Sequence, residues 1–285
     1  MIKFMNGKPV AEKILKSVAE DLDKYGFILK LDVVLVGNDV GSKAYVREID
    51  KLMKPYEINF EVHRFDNSVQ SELADLVTEL NQDEAVNGIL IPLPLPKGIN
   101  KKGLLELVRQ EKDVDGINYV NGTGVRNNYP LNPPTAMAIL KILEHYKILL
   151  QDRKVVIVGN GDTVGKPLSF MIGGVAREVV VCDSKTEDLI KRTREADVLV
   201  AAIGKPGCIT ECMIKEGCVV IDAGVNTINK NGRNCIVGDV DFNDVSYKTS
   251  YITPVPGGVG PVTTACLLEN LVTACKIQQK QCVKL

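Results

Sequence analysis

Short apolar segments of strand length alternate with longer segments of helical period along most of this chain, and that alternation restricts the fold more than any other feature. Lys30–Val36 reads as a buried strand ending at Gly37-Asn38, and Ser42 opens a helix that runs to about Lys54 and stops at Pro55. Asn59–Phe65 is a second strand, Ser71–Asn81 a helix, and Gly88–Ile91 a strand leading into the rigid Pro92-Leu93-Pro94-Leu95-Pro96. Ahead of these, Val10, Ile14, Val18 and Leu22 repeat at helical spacing and predict a helix from Val10 to about Lys24. A second series follows: a helix over Thr135–Tyr146, a strand at Lys154–Val158, a helix after Pro167, strands at Val179–Cys182, Val198–Ala202 and Val219–Asp222, and a last helix over Thr263–Gln279. Strands separated by helices pair in parallel, with the helices on the faces of the sheet. The expected class is therefore α/β, and 285 residues suggest about two domains.

Composition narrows the function classes. Thirty-five basic and thirty-six acidic residues leave a net charge of -1, so no basic face for nucleic acid is expected. No run reaches the roughly 18 apolar residues of a membrane span, and the first residues lack the apolar core of a signal peptide. A cytoplasmic location is the expectation. All eight cysteines lie between Cys182 and Cys282 without a C-x-x-C pair, and His63 and His145 are far from them. Reduced, mostly buried thiols are expected, with no disulfide and no metal.

The segment Lys154–Gly165 has the mechanics of a dinucleotide site: a strand, a glycine-rich turn and a helix start. Glycines let the backbone approach a pyrophosphate, and the helix N-terminus offers N–H donors. The spacing Gly159, Gly161, Gly165 is one residue longer than the usual fingerprint, and a tight turn without a ligand is the alternative. Asp183 ends the next strand, where an acid accepts hydrogen bonds from a ribose 2′-hydroxyl and repels a 2′-phosphate. That favours NAD over NADP, unless Asp183 only caps the following turn.

Several segments, in order, carry a resemblance to a known family: Val36-Gly37-Asn38-Asp39 with Ser42 and Tyr45, Gly88-Ile89-Leu90 with Leu93-Pro94-Leu95-Pro96, Asp113-Val114-Asp115-Gly116, Val164-Gly165-Lys166-Pro167, Ile221–Asn226, Gly238–Phe242, and above all Thr253–Thr263. The chain resembles the methylenetetrahydrofolate dehydrogenase/cyclohydrolase (FolD) family over nearly its whole length. The resemblance implies two α/β domains flanking a cleft, the second of Rossmann type, in a homodimer. It implies a folate-binding catalytic domain at 1–118 plus 265–285 and an NAD(P)-binding domain at 119–264. By position, Tyr45 would lie against the folate's aromatic part and Asp115 would hold the pterin N–H groups. Pro256, Gly257 and Gly258 would form a backbone wall, and Gly159, Asn160, Gly161, Thr163, Val164, Gly165, Asp183, Ser184, Gly204 and Asn226 would hold NAD or NADP.

The family pattern is broken at a few positions. The family's catalytic lysine lies four residues after the tyrosine, where this chain has Ile49; Lys51 points elsewhere on the helix. The glutamine before LPLP is Pro92, which has no amide. The turn's arginine is Asn160, and the histidine after the next strand is Asp183. The PCTP element is Pro130-Leu131-Asn132-Pro133. Hydride transfer from methylenetetrahydrofolate needs orientation and no base, whereas opening the methenyl ring with water needs proton transfer. The expectation is an NAD-linked dehydrogenase with weak or absent cyclohydrolase activity. The alternatives are the full bifunctional enzyme, a non-catalytic folate- or nucleotide-binding protein, and an enzyme with an altered substrate.

Overall fold

A computed structural model describes residues 3–66, 69–117, 130–230 and 232–282. In chain order it contains β1 (Lys3–Phe4), α1 (Lys8–Tyr25), β2 (Lys30–Val36), α2 (Val40–Met53), β3 (Asn59–Phe65), α3 (Gln70–Gln82), β4 (Gly88–Leu90), α4 (Lys101–Leu107), α5 (Pro134–His145), β5 (Lys154–Val158), α6 (Gly165–Ile172), β6 (Glu178–Cys182), α7 (Leu189–Arg194), β7 (Val198–Ala201), β8 (Cys218–Asp222), β9 (Asn226–Lys230), β10 (Arg233–Val237), α8 (Phe242–Val245), β11 (Thr249–Ile252) and α9 (Val259–Cys282). The chain forms two compact units, one of Met1–Glu12 with Thr135–Thr263, the other of Lys13–Pro134 with Thr264–Leu285. The domain boundary expected at 118/119 lies outside the described residues.

The first unit is built on a parallel sheet of order β1-β11-β8-β7-β5-β6. Every residue of β5, β7 and β8 is buried, as central strands covered on both faces require. Val156, Val158, Leu199, Ala201, Val220 and Ile252 share one of its cores. From β5 the chain moves outward to β6, then returns to β7 on the other side of β5. That reversal opens a crevice beyond the carboxyl ends of β5 and β7, the usual ligand position in such sheets. The antiparallel hairpin β9–β10 stands apart from the sheet.

The second unit has a parallel sheet of order β3-β2-β4. Alternation along β2 serves two cores: Leu31, Val33 and Leu35 pack with α2 and α9 residues, and Val34 and Val36 with α3 and α4 residues. Asp32, fully buried on the second face, is held by His63 Nε2 at 2.6 Å and by Lys30 Nζ at 3.5 Å. Asp32, Glu61 and His63 have metal-ligand chemistry, but the Lys30 ammonium already stands 3.4 Å from Glu61.

Most elements anticipated in the sequence form within a few residues of their expected bounds, and β2, β3 and β5 match them. Several helices start early, α2, α6 and α9 for identifiable reasons. Helix α2 begins at Val40 because Asp39, not Ser42, caps it: Asp39 Oδ1 accepts from the Ser42 N–H at 2.7 Å. Helix α6 begins two residues before Pro167 and α9 four residues before Thr263, since a proline is tolerated in a first turn whose N–H groups lack helical partners. The hairpin β9–β10 had no expectation attached, because its polar, largely exposed residues carry no apolar period.

The described cysteines are mostly buried thiols, as expected. Among the described residues Cys182, Cys218, Cys266 and Cys275 are buried, Cys235 is half-buried, and Cys208 and Cys212 are exposed, in the connection that leaves β7. No helix among the described residues is long and apolar enough to cross a membrane.

Candidate active site

In the first unit the turn after β5 is shaped by its glycines, each differently. Gly159 has φ +116, and a Cβ there would collide with the Ala202 carbonyl just beyond β7. A Cβ on Gly165 would collide with the Gly159 carbonyl, so α6 can start close under the turn only with glycine there. A Cβ on Gly161 would meet nothing within 4 Å. These are the demands of a dinucleotide cradle: a tight turn, an open backbone for pyrophosphate, and close helix–strand packing. The extra residue is absorbed between Gly161 and Gly165, where the Lys166 N–H bonds back to the Gly161 carbonyl at 3.1 Å. Asn160 and Gly161 are exposed, and Thr163 and Val164 half-buried. The cradle therefore fits the group that the sequence implies.

Asp183 and Ser184 follow β6 and are exposed. Asp183 Oδ1 accepts from the Lys185 N–H at 2.9 Å and the Thr186 hydroxyl at 3.3 Å, so the carboxylate also caps its own turn. The capping and ribose-binding roles are compatible, because Oδ2 takes no part in that turn. Gly204, with φ +73, lies in the loop after β7, and Asn226 opens β9. Pro256 is exposed in the turn between β11 and α9. Gly257 there has φ +105 and its carbonyl accepts from the Gly7 N–H at 2.8 Å. Gly258 is buried, and a Cβ on it would come within 2.8 Å of the Thr253 side chain.

In the second unit the structure brings Tyr45 and Asp115 together. Tyr45, on α2, is half-buried against the cluster of Leu31, Val33 and Ile49. Burial, then the charge of Asp115, then Cys266, push its hydroxyl pKa well above the usual value. Asp115 is pushed up to about 7, by burial first and by Asp113 second. Gly116, at φ +61, closes the turn that carries Asp115, and a Cβ on it would come within 2.8 Å of the Asn132–Pro133 backbone. Asn270 of α9, almost fully buried, donates to the Val114 and Asn132 carbonyls at 2.8 Å each. It therefore holds the Asp115 turn against the Pro130–Pro133 segment. Asn270 carries one signal in the sequence, a polar side chain amid the apolar residues of the last helix, and that signal alone assigns it no role.

Ile49 is fully buried in the same cluster, one turn beyond Tyr45. Lys51 is exposed and pairs with Glu48 at 2.7 Å. Pro92 is buried, and the Leu93 carbonyl beside it accepts from the Ser42 hydroxyl at 3.1 Å, which ties the proline-rich segment to α2.

Comparison with known proteins accords with this arrangement. Residues 5–115 match the catalytic domain of the tetrahydrofolate dehydrogenase/cyclohydrolase family, and residues 133–279 match its NAD(P)-binding domain. The bifunctional protein FolD of Campylobacter concisus is 42% identical over 278 residues, covering 96% of this chain and 97% of the relative. The crystal structure of bifunctional FolD from Campylobacter jejuni superposes with a TM-score of 0.88 at 39% identity, covering 97% of this chain and 99% of that one. The Trypanosoma brucei enzyme, solved with NADP and an inhibitor, gives 0.90 at 30% identity, covering 98% and 99%. With both family domains matched in order and relatives aligned almost end to end, the chain belongs to the tetrahydrofolate dehydrogenase/cyclohydrolase family of enzymes.

Proposed function

We propose that this protein oxidises 5,10-methylenetetrahydrofolate to 5,10-methenyltetrahydrofolate by hydride transfer to a nicotinamide dinucleotide, NAD in preference to NADP, and that it lacks an efficient cyclohydrolase step. The bound dinucleotide supplies the hydride acceptor. The residues of the chain hold and orient. Asp115 accepts from the pterin N–H edge as a carboxylate, Tyr45 packs against the aromatic portion, and Pro256–Gly258 contribute a backbone wall. The Gly159–Gly165 turn cradles the pyrophosphate, and Asp183 and Ser184 receive the adenosine ribose. Removing a hydride from the methylene carbon leaves a cation delocalised over two nitrogens and releases no proton, so positioning suffices.

The observation that carries the cyclohydrolase part is Ile49: fully buried, apolar, and one helical turn from Tyr45. Adding water to the methenyl cation requires proton movement, and a positioned base contributes about 10²–10⁴-fold. Neither Ile49 nor Pro92 can transfer a proton. Preference for NAD rests on Asp183 and on Asn160 in place of a cation. The family resemblance further supports a homodimer acting in the cytoplasm.

The test is a steady-state assay of purified protein with methylenetetrahydrofolate and each cofactor, and a separate measurement of methenyl hydrolysis. Oxidation faster with NAD and hydrolysis close to the uncatalysed rate are expected. Hydrolysis as fast as in a bifunctional relative would refute the separation of activities, and preference for NADP would refute the role given to Asp183.

A further inference from the structure

The loop after β7 presents the consecutive backbone N–H groups of Ile203, Gly204 and Lys205. Such a run of amides is a ready anion nest. It lies directly beside the Gly159 turn, where a Cβ on Gly159 would come within 3.2 Å of the Ile203 nitrogen, at the point where the strand order reverses. The protein fills this nest itself. Asp239 Oδ2 accepts from the Ile203 and Gly204 N–H groups at 2.6 and 2.9 Å, and Oδ1 from the Lys205 N–H at 3.0 Å and the Asn226 side-chain amide at 2.8 Å. Asp239 is fully buried although Gly204 and Lys205 are exposed. A second buried carboxylate anchors the first: Asp222 Oδ1 accepts from the Asp239 N–H at 3.0 Å and Oδ2 from the Val240 N–H at 3.0 Å. Glycines at 224 and 238 permit this closeness, since a Cβ on either would run into the Asp239 or Asp222 carboxylate.

We infer that Asp239 is a positioning residue for the cofactor: it occupies the anion nest of the β7 loop, leaves the Gly159–Gly165 turn as the phosphate-binding wall of the crevice, and turns the other wall and Asn226 toward the uncharged amide end of the dinucleotide. The inference rests on the dinucleotide reading above. A carboxylate already seated in the β7 loop repels phosphate there, so the pyrophosphate is left to the Gly159–Gly165 turn and the polarity of binding is set.

The test uses wild type and Asp239→Ala in three measurements: reduced-cofactor fluorescence for dinucleotide affinity, folate-substrate affinity without cofactor, and dinucleotide affinity with added formate. The alanine variant should bind dinucleotide about tenfold or more weakly, because several charge-assisted hydrogen bonds are lost. Its folate affinity should be unchanged. Formate, a carboxylate small enough for the vacated nest, should restore dinucleotide binding in the variant and leave wild type unaffected. A folded variant with wild-type dinucleotide affinity, or a loss that formate does not relieve, overturns the inference. Hydrogen exchange on wild type provides a readout that does not depend on the variant folding: the amides of residues 203–205 should exchange slowly although Gly204 and Lys205 are exposed, and exchange at open-loop rates overturns it. If wild type binds neither NAD nor NADP, the dinucleotide reading itself fails, which the first measurement reveals separately.

Discussion

At the residue scale, Ile49 joins the packing of the core to the proposed limit on the chemistry. It completes the apolar cluster under Tyr45, and it offers no proton. The double variant Ile49→Lys with Pro92→Gln should gain methenyl hydrolysis by about tenfold or more, followed as loss of methenyl absorbance. It should also melt at a lower temperature, because an ammonium replaces a fully buried alkyl group. No gain in a folded double variant would contradict the role proposed for these two positions. Asp115 makes a prediction about pH. Its carboxyl is pushed up to about 7 in the folded protein, from an ordinary 3.8. Below about pH 4 both folded and unfolded forms are protonated, and stability is unaffected by this group. Between about 4 and 7 the folded form holds the proton more tightly, so stability declines as pH rises and levels off above 7. Asp115→Asn removes this decline. Its stability relative to wild type should therefore be greater at pH 8 than at pH 4, by on the order of 1 kcal/mol. Urea melts at the two pH values measure the difference, and an equal offset at both would contradict the assigned titration.

At the scale of elements, the β5–turn–α6 unit makes separable demands on its glycines. Gly165→Ala should cost about 1–3 kcal/mol and weaken cofactor binding too, because the new methyl meets the Gly159 carbonyl. Gly161→Ala should leave the melting temperature nearly unchanged, since that position faces open space. It should still weaken dinucleotide affinity, because the methyl would stand where the pyrophosphate approaches. Thermal melting and cofactor titration on both variants check the pattern; unaltered affinity in Gly161→Ala would remove that residue from the site. Spacing alone could not distinguish these roles. The second unit makes a similar point: Asp115 is held in place by Asn270, 155 positions later in the chain, through the Val114 and Asn132 carbonyls.

At the scale of the whole molecule, a ligand that binds only the folded state stabilises it by mass action. At a hundredfold excess over the dissociation constant the gain is about 2.7 kcal/mol. For a chain of this size that is a rise of several degrees in melting temperature. At equal concentration NAD should raise it more than NADP, read by thermal unfolding. An equal or larger rise with NADP would point to the exposed Lys185, next to Asp183, as a phosphate partner.

The sequence by itself determined the alternation of strands and helices, and with it the parallel sheets, because period and punctuation are local properties that burial later confirms: β5 reads as apolar throughout and is buried throughout. It also determined the family, because ordered motifs survive in linear form. Only the tertiary structure decided which groups stand together. The buried Asp222–Asp239 pair, the filled nest of the β7 loop and the clasp of Asn270 on the Asp115 turn join residues far apart in the chain. An aspartate in a loop motif looks the same in sequence whether it faces water or gathers four N–H donors; the difference lies in what the fold brings within 3 Å of it.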